Sequence, residues 1–560
     1  MWSVVRVPLC ARVSRVSRVC PGSPGVFLNR FYCKVLRGGH NADLNQAKAE
    51  TAARAATLAA TRASIESAIT RSMSLDPTTS PDDVLIFWFG AAADGDKNTV
   101  VYLQNGWKRW FMGQDLLFDL VQHSSKELIA RAAGQGPLPA GPLGLEWTTS
   151  RGKLARILLL DQFTRVAFRG TAQSFAHDEL ACDLARSLAS EGFDELLPVE
   201  RFFVALALSH AENLQDSKLH VDLAARLCSS LPAGHEVRGY FANLKGFPHE
   251  HFETIERFGR FPHRNALLGR SSTAAEEAWL LSPSCPGWAK SQKRACLTYW
   301  NGRGLGDVIR FLLEFCLIPF DEVNVLDSDA FAALKASGKL AFGQVPLLEI
   351  DGLELVQTQA ILRYVAGKKQ LRGTTAADEA RADMMVNGVL DARMQLITAR
   401  FQADPTAALA KFETATLPKL AGHLEALLKT HSGEYLCAGG LTYADVVLLE
   451  TLCYAADECT ANLESILAPI SPRVLAHYQR MRAFKHVGAY LQSERRKPTP
   501  DVAFVRRTCA ILGLPAPEYA RDGAKPTAPP MMGRLLLSLV LIAVASVALV
   551  APRAARTARA

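Results

Sequence analysis

Hydrophobic and polar positions in the C-terminal half of the chain repeat with two different periods. The run ACLTYW, from Ala295, is a short apolar stretch typical of a strand, and DVIRFLLEFCLI has apolar residues at helical spacing after the turn NGRGLG. The segments that follow are FDEVNV, a helical stretch over 328–337, VPLLEI, an Asp351-Gly352 turn, LELV and QTQAILRYVAGK. This order of strand, helix, strand, helix, hairpin and helix predicts a thioredoxin-like α/β domain over 294–371.

Helical periodicity dominates the rest of the chain. Residues 78–275 have few strand-like runs and predict an all-α N-terminal domain, and residues 378–515 predict a second all-α domain. A chain of 560 residues is too long for one hydrophobic core, so the predicted fold class is multidomain, with the α/β domain between two helical ones. The predicted linkers are residues 43–77, which are Ala-rich and helical, residues 276–293 and residues 516–533.

The N-terminal segment, residues 1–42, is basic and contains no acidic residue. Its first part, MWSVVRVPLCARVSRVSRVC, alternates arginines with valines, so the two residue types lie on neighbouring faces of a weakly amphipathic helix. That pattern is typical of a mitochondrial transit peptide. A disordered basic leader, or a start site assigned too early, explains the composition equally well.

The C-terminal segment is strongly apolar. Residues 535–551, LLLSLVLIAVASVALVA, carry no charge, and at about 1.5 Å per residue they span roughly 26 Å, slightly less than a bilayer core of about 30 Å. The sequence therefore predicts a transmembrane tail anchor over 534–552, with a buried core helix as the alternative. Its Arg-rich flank resembles tail anchors of the mitochondrial outer membrane, which implies a membrane-anchored location there, or in peroxisomes or the endoplasmic reticulum, with the folded domains facing the cytosol.

Charge and cysteine content exclude several function classes. The net charge is +8, of which +7 lies in residues 1–42 and +4 in residues 534–560, so the remainder of the chain is at −3. Without a basic bias in the predicted domains, nothing favours a nucleic-acid partner. The 12 cysteines form no CxxC pair, which argues against a disulfide scaffold or a zinc module, and we assign no metal.

Three separated motifs in the C-terminal half point to one family. LTYWNGRG, FGQVPLLEIDGLELVQTQAILRYVA and GEYLCAGGLTYADVVLLE occur in this order, and RRKPTPD follows near residue 500. Residues 294–515 together resemble a glutathione transferase, nearest to the alpha class and next to the sigma class. The resemblance implies an enzyme, usually a homodimer, that uses glutathione as co-substrate and conjugates its thiolate to a hydrophobic electrophile.

Tyr299 is the predicted catalytic residue. It lies at the end of the first strand, where its hydroxyl can donate a hydrogen bond to a glutathione thiolate in the adjoining crevice. A free thiol has a pKa of about 8.5, and stabilising the anion by about 2.7 kcal/mol lowers that pKa by about two units. One charge-assisted hydrogen bond contributes a stabilising free energy of this order. For a tyrosine outside such a motif, packing alone is the simpler explanation.

The resemblance also implies a set of glutathione-binding residues. Val345-Pro346 resembles the cis-proline step that leaves the backbone free to pair with the cysteinyl main chain. Gln357 and Thr358 open a helix and suit the γ-glutamyl carboxylate, with a plain helix cap as the alternative for Thr358. The remaining members are Gln344 beside the proline, Lys335 for the glycyl carboxylate and Asp391 for the amino group of the ligand, the last two with a surface role as the alternative.

Two positions depart from the alpha-class pattern. Leu305 stands where that class has an arginine close to the sulfur, and Ala415 stands where a basic residue is expected. Weaker thiolate stabilisation follows, which leaves two alternatives to a conjugating enzyme. One is a non-catalytic adaptor with this fold, and the other is a glutathione-dependent isomerase or peroxidase.

The N-terminal helical domain carries an unusual set of polar residues. Segments such as DDVLIFWFG and RFGRFPHRNALLGRSST resemble an uncharacterised bacterial domain family with a TPR-like fold. The polar set has two interpretations, a pocket for an acidic ligand or a buried hydrogen-bond network that fixes helix contacts. Its members are Asp161, Gln162, Arg165, Arg169, His210, Glu212, His263, Arg264 and Asn265.

Overall fold

The computed structural model describes residues 75, 78–90, 96–138, 146–244, 246–290, 294–431 and 434–521. The predicted leader over 1–42, nearly all of the helical linker over 43–77 and the predicted anchor over 534–552 lie outside these residues.

The N-terminal half is entirely helical among its described residues. Consecutive long helices pack against one another in sequence order, and a π-helical segment, Leu158–Phe163, joins two of them. The helices are α1 Pro81–Phe89, α2 Val100–Phe111, α3 Leu116–Ser124, α4 Lys126–Ala132, α5 Ser150–Ile157, α6 Thr164–Ala167, α7 Asp178–Ser190, α8 Pro198–Leu208, α9 Leu214–Ser230, α10 Glu236–Asn243, α11 Gly246–Phe258, α12 Ala274–Leu281 and α13 Gly287–Lys290.

Aromatic side chains fill the core of this half. Trp88 of α1 is buried and packs its ring against Phe163 at 5.5 Å and edge-on against Phe203 at 5.4 Å between centroids. The helix begins at a capping box in which Ser80 and Asp83 exchange hydrogen bonds. These contacts fix the helix that brings Trp88 to the centre of the domain.

The next unit is the predicted thioredoxin-like α/β domain. The elements are β1 Ala295–Trp300, α14 Gly304–Phe315, β2 Phe320–Val325, α15 Ser328–Ala336, β3 Leu347–Ile350, β4 Leu353–Val356 and α16 Thr358–Lys368. The four-stranded sheet has the order β2-β1-β3-β4, with β1 parallel to β2 and antiparallel to β3. The hairpin between β3 and β4 turns at Asp351 and Gly352, which both have positive φ, as a tight two-residue hairpin requires.

The second helical domain follows directly. Its central helix, α20 Tyr443–Glu458, begins at a capping box formed by Thr442 and Asp445 and is buried along most of its length. The helices are α17 Ala376–Ala399, α18 Pro405–Lys411, α19 Leu417–Lys429, α20 Tyr443–Glu458, α21 Leu463–Leu467, α22 Pro472–Arg482, α23 Lys485–Gln492 and α24 Val502–Leu512, with a π-helical segment Phe412–Thr416 before α19.

The N-terminal half packs directly on the thioredoxin-like domain. Leu116, Leu117 and Leu120 of α3 belong to the same buried apolar cluster as β1 and α14. Next to them, the ammonium of Lys369 donates to the carboxylate of Asp119, and both side chains are 3% exposed. The described halves therefore share a core.

The prediction of a membrane-anchored location is wrong for the described chain. Between residues 75 and 521, with the gaps given above, no helix combines the length and the apolar character needed to cross a bilayer. The segment that prompted the prediction, 534–552, lies outside the described residues. We therefore do not retain the location or the tethering.

Candidate functional site

The phenol of Tyr299 lies where β1 ends and α14 begins. Its side chain is 5% exposed, and its oxygen accepts a hydrogen bond of 2.8 Å from the backbone N–H of Leu305. The oxygen is thus oriented by the first turn of α14, and its own proton remains available for an acceptor. A phenol held in this way is a hydrogen-bond donor with a fixed direction.

Two glycines make room for the phenol. A Cβ atom at Gly304 would lie 2.5 Å from the Tyr299 oxygen, and one at Gly306 would lie 2.5 Å from its Cδ1. Gly304 also has a φ of +42°, a region that residues with side chains rarely adopt. The glycine-rich turn therefore allows the helix to approach the ring closely.

Buried arginines hold this turn in place. Arg310 donates to the carbonyl of Gly302 at 2.9 Å, and Arg393 donates to the carbonyl of Gly304 at 2.9 Å. Arg393 is itself paired with Glu450 of α20 at 2.6 Å, and both side chains are fully buried. Sequence reasoning missed this pair, although a charged residue on each of two apolar helix faces was a signal for it.

The second cluster of predicted residues lies in the segment before β3 and at the start of α16. The Val345-Pro346 peptide bond is cis, and Gln357 has a φ of 71°. The Gln357 side chain donates to Gln344 at 3.0 Å. The hydroxyl of Thr358 is buried and has no hydrogen-bond partner among the described residues. An unpaired hydroxyl at a helix start is suited to accept or donate to a ligand.

Lys335 and Asp391 are the predicted residues that the structure does not join to this cluster. The Lys335 ammonium lies 4.6 Å from the ring centroid of Phe331 on an exposed part of α15. Asp391 is exposed on α17. In the part of the chain that the structure describes, neither side chain makes a hydrogen bond or ion pair.

The two departures from the family pattern have different surroundings. Leu305 is partly buried and packs in the apolar cluster that contains Tyr299 and Trp300. Ala415 is exposed in the π-helical segment before α19. Leu305 thus contributes its backbone N–H to the phenol and an apolar side chain to the surroundings, without a charge.

Burial raises the pKa of Tyr299 above its ordinary value, although the Leu305 N–H and nearby arginines act in the opposite direction. The group therefore remains a neutral phenol near pH 7 and can donate to an anion. The C-terminal half thus combines a thioredoxin-like domain, which has this donor at the end of β1 and a cis-proline before β3, with an all-α domain, and this pair of domains defines its class of protein.

Comparison with known proteins gives the family. Profiles described as "Glutathione S-transferase, N-terminal domain" and "Glutathione S-transferase, C-terminal domain" match residues 295–367 and 390–494. Glutathione S-transferase alpha-1 of Rattus norvegicus is 37% identical over 210 residues, which are 36% of this chain and 90% of that protein. Glutathione S-transferase A3 of Mus musculus is 34% identical over 219 residues, 39% of this chain and 97% of that protein. The chain belongs to the glutathione S-transferase family.

Two further matches complete the comparison. A profile described as "Bacterial protein of unknown function (DUF924)" matches residues 84–284. Among solved structures, the Onchocerca volvulus Pi-class glutathione S-transferase is 27% identical, covers 35% of this chain and 92% of its own, and has a TM-score of 0.32.

Proposed function

We propose that this chain is a glutathione transferase in which Tyr299 donates a hydrogen bond to the thiolate of bound glutathione. The thiolate sulfur attacks an electrophilic carbon of a hydrophobic co-substrate. In a substitution, the new C–S bond forms while the leaving group departs with its electron pair. In an addition, the sulfur bonds to carbon and a proton from solvent completes the product.

One observation carries the proposal. The Tyr299 oxygen accepts the Leu305 N–H at 2.8 Å, so the phenolic hydrogen points to a different acceptor. A thiolate next to the first strand would take that hydrogen bond, and the N-terminal end of α14 would add a favourable dipole.

The surrounding residues support a peptide-like ligand. Val345, before the cis-proline, would pair with the cysteinyl main chain of glutathione, and Gln344, Gln357 and Thr358 would bind its γ-glutamyl end. The orphan hydroxyl of Thr358 fits this role because a ligand carboxylate would satisfy it. Lys335 and Asp391 are proposed to reach the two ends of the ligand, and both are free of ion pairs with described residues.

Replacing Tyr299 by Phe tests the proposal. A hydrogen bond to a charged group contributes about 1.5–3 kcal/mol, so we expect kcat/KM for conjugation of an aryl halide to fall about 10- to 100-fold. Retention on immobilised glutathione should persist, because the other contacts remain.

Tyr364→Phe is the matched control. Its hydroxyl donates to Asp351 at 2.6 Å on the exposed hairpin, so kcat/KM should stay unchanged. Equal activity of Tyr299→Phe and the wild type would remove the catalytic assignment.

The observation that favours a second function is the apolar side chain of Leu305. An adaptor with this fold would catalyse no conjugation, whether or not it binds glutathione. Retention on the glutathione resin without conjugation of any electrophile would therefore favour the adaptor. An isomerase or peroxidase would share the Tyr299 site and differ in its co-substrate. Activity toward a hydroperoxide that exceeds activity toward aryl halides would identify the peroxidase.

Two finer features belong to the same proposal. We propose a homodimer, which light scattering of the purified chain would test by giving twice the mass of one chain. The N-terminal helices are proposed to be TPR-like, because α7, α8 and α9 each pack against the next helix in sequence.

A further inference from the structure

A cavity of about 720 Å³ lies where the N-terminal half meets the thioredoxin-like domain. Ala295, the first residue of β1, lines it, together with Ile318 and Pro319 before β2 and Lys368 and Lys369 at the end of α16. Ala295 precedes Tyr299 by four residues, which at about 3.3 Å per residue separates the cavity from the phenol by roughly 13 Å. The cavity is therefore distinct from the proposed glutathione site.

Aromatic rings form much of the cavity wall. They come from α1, α2, α11 and α13, so four separate helices place flat apolar surfaces around one space. A volume of several hundred Å³ with such walls suits the body of a small organic molecule. The wall rings are Trp88, Trp107, Trp110, Phe111, Phe247 and Trp288.

The cavity lining carries an excess of positive charge. Three arginines, Arg165, Arg169 and Arg264, line the cavity, and two carboxylates, those of Asp161 and Asp178, pair with these arginines. Arg165 pairs with Asp161 at 3.2 Å and with Asp178 at 2.8 Å, while Arg264 pairs with Asp178 at 2.9 Å. Among these five groups, three cations against two anions leave one positive charge.

The excess charge belongs to Arg169. Its side chain lines the cavity and is partly buried, and it makes no hydrogen bond or ion pair with any residue that the structure describes. Arg264, 5% exposed, also lines the cavity, and its Nε–H has no acceptor among those residues. Buried donors without acceptors are costly, and an anionic ligand would satisfy them.

The π-helical segment Leu158–Phe163 contributes to the polar part of the lining. Its Gln162 lines the cavity and donates to the neighbouring Asp161 at 2.6 Å. Asp161 also bonds His210 at 2.6 Å. The carboxylate orients three neighbours and is itself saturated, so it does not repel a ligand as a free anion would. Such π segments are frequent at functional sites.

We propose that this cavity binds an organic anion: a carboxylate or phosphate ester carried on an aromatic or otherwise apolar body. The acid group lies at Arg169 and Arg264, and the body lies between the tryptophan rings. The site needs both halves of the chain, because the thioredoxin-like domain supplies one wall. It does not depend on glutathione binding.

The test uses the full chain and 4-fluorophenyl phosphate as the probe, observed by ¹⁹F NMR. We expect its signal to broaden on binding, and 4-fluorobenzylamine, which has the same ring and the opposite charge, to show no effect. Arg169→Gln should weaken phosphate binding about tenfold or more, since it removes a charge-assisted hydrogen bond. Arg169→Lys should restore part of that loss.

Two further variants keep the test decisive. Val166→Phe fills the cavity from one wall without a change of charge and should also displace the probe. Arg257→Gln removes an exposed arginine of the same domain that does not line the cavity and should bind like the wild type. The proposal is overturned if Arg169→Gln and Val166→Phe both bind the phosphate as the wild type does, if the amine binds as well as the phosphate, or if the phosphate does not bind at millimolar concentration.

Discussion

Gly306 leaves no space for a side chain beside the phenol of Tyr299. A Cβ atom there would lie 2.5 Å from the ring, so Gly306→Ala must displace either the ring or the first turn of α14. We expect kcat/KM to fall at least about tenfold, since small misplacements at a reacting centre are costly. Overpacking should also lower the free energy of unfolding by about 1–3 kcal/mol. Steady-state kinetics and urea unfolding measure the two effects.

Gly388 is the matched control for this substitution. It lies inside α17, where an added Cβ atom would meet no atom of the described residues outside its own helix turn within 4 Å. Ala at this position should therefore raise the free energy of unfolding by about 0.5–1 kcal/mol, as expected for Gly to Ala in a helix, without a change in rate. A loss of activity in Gly388→Ala equal to that in Gly306→Ala would contradict the steric explanation.

The pH dependence of conjugation follows from the burial of Tyr299. Burial raises its pKa above the ordinary value of about 10, so the phenol keeps its proton, and its donor role, throughout the neutral range. The rate should rise as the bound thiol ionises and then stay level up to about pH 10. In Tyr299→Phe, the rising limb should move toward the free-thiol pKa of about 8.5. A profile that falls with a midpoint below about pH 9 would show that the phenol ionises early.

At the scale of elements, the buried pair of Arg393 on α17 and Glu450 on α20 joins two helices to the turn beneath Tyr299. Glu450→Leu leaves the Arg393 guanidinium buried without a counter-charge and should cost about 3–5 kcal/mol of unfolding free energy. Replacing both residues, Arg393→Met with Glu450→Leu, should cost less than Glu450→Leu alone. Chemical unfolding of all variants gives the coupling energy. Additive losses would mean that the two side chains act independently.

The elements that sequence could predict are those set by local patterns. The apolar run ACLTYW and the Asp351-Gly352 turn act over a few residues, and the structure has β1 over Ala295–Trp300 and the hairpin turn at those two positions. The approach of Gly304 and Gly306 to a ring only a few residues earlier in the chain is equally local. The positions of Tyr299 and the cis-proline loop could therefore be predicted from the sequence.

Long-range pairs were not predictable in the same way. Arg393 and Glu450 are 57 residues apart. The helical period predicts that each lies on an apolar helix face, but it does not identify the residue with which each one pairs. The leucines of α3 lie within the predicted N-terminal domain over 78–275, yet they pack into the core of the next domain. The cavity between the halves depends on that packing. The sequence could therefore identify the polar residues as an unusual set, but it could not predict which residues enclose a cavity with them.

For the whole molecule, the contact between the halves includes a buried ion pair, Asp119 with Lys369, whose residues are 250 positions apart. Asp119→Asn leaves the Lys369 ammonium, 3% exposed, without its counter-charge. We expect a loss of about 3–5 kcal/mol in unfolding free energy. Hydrogen–deuterium exchange should rise first in α3 and at the end of α16, because these segments form the contact.

The neighbouring pair gives a control that separates a buried charge from an exposed one. Lys368 pairs with Asp351 at 2.5 Å, but the two side chains are 37% and 43% exposed. Lys368→Ala should therefore change the unfolding free energy by only about 0–1 kcal/mol and leave exchange in α3 unaltered. Replacing both buried partners, Asp119→Leu with Lys369→Met, should recover much of the loss, since no charge then lacks a partner. If Asp119→Asn costs no more than Lys368→Ala, the ion pair does not stabilise the junction, and the apolar packing of the α3 leucines is the larger contribution.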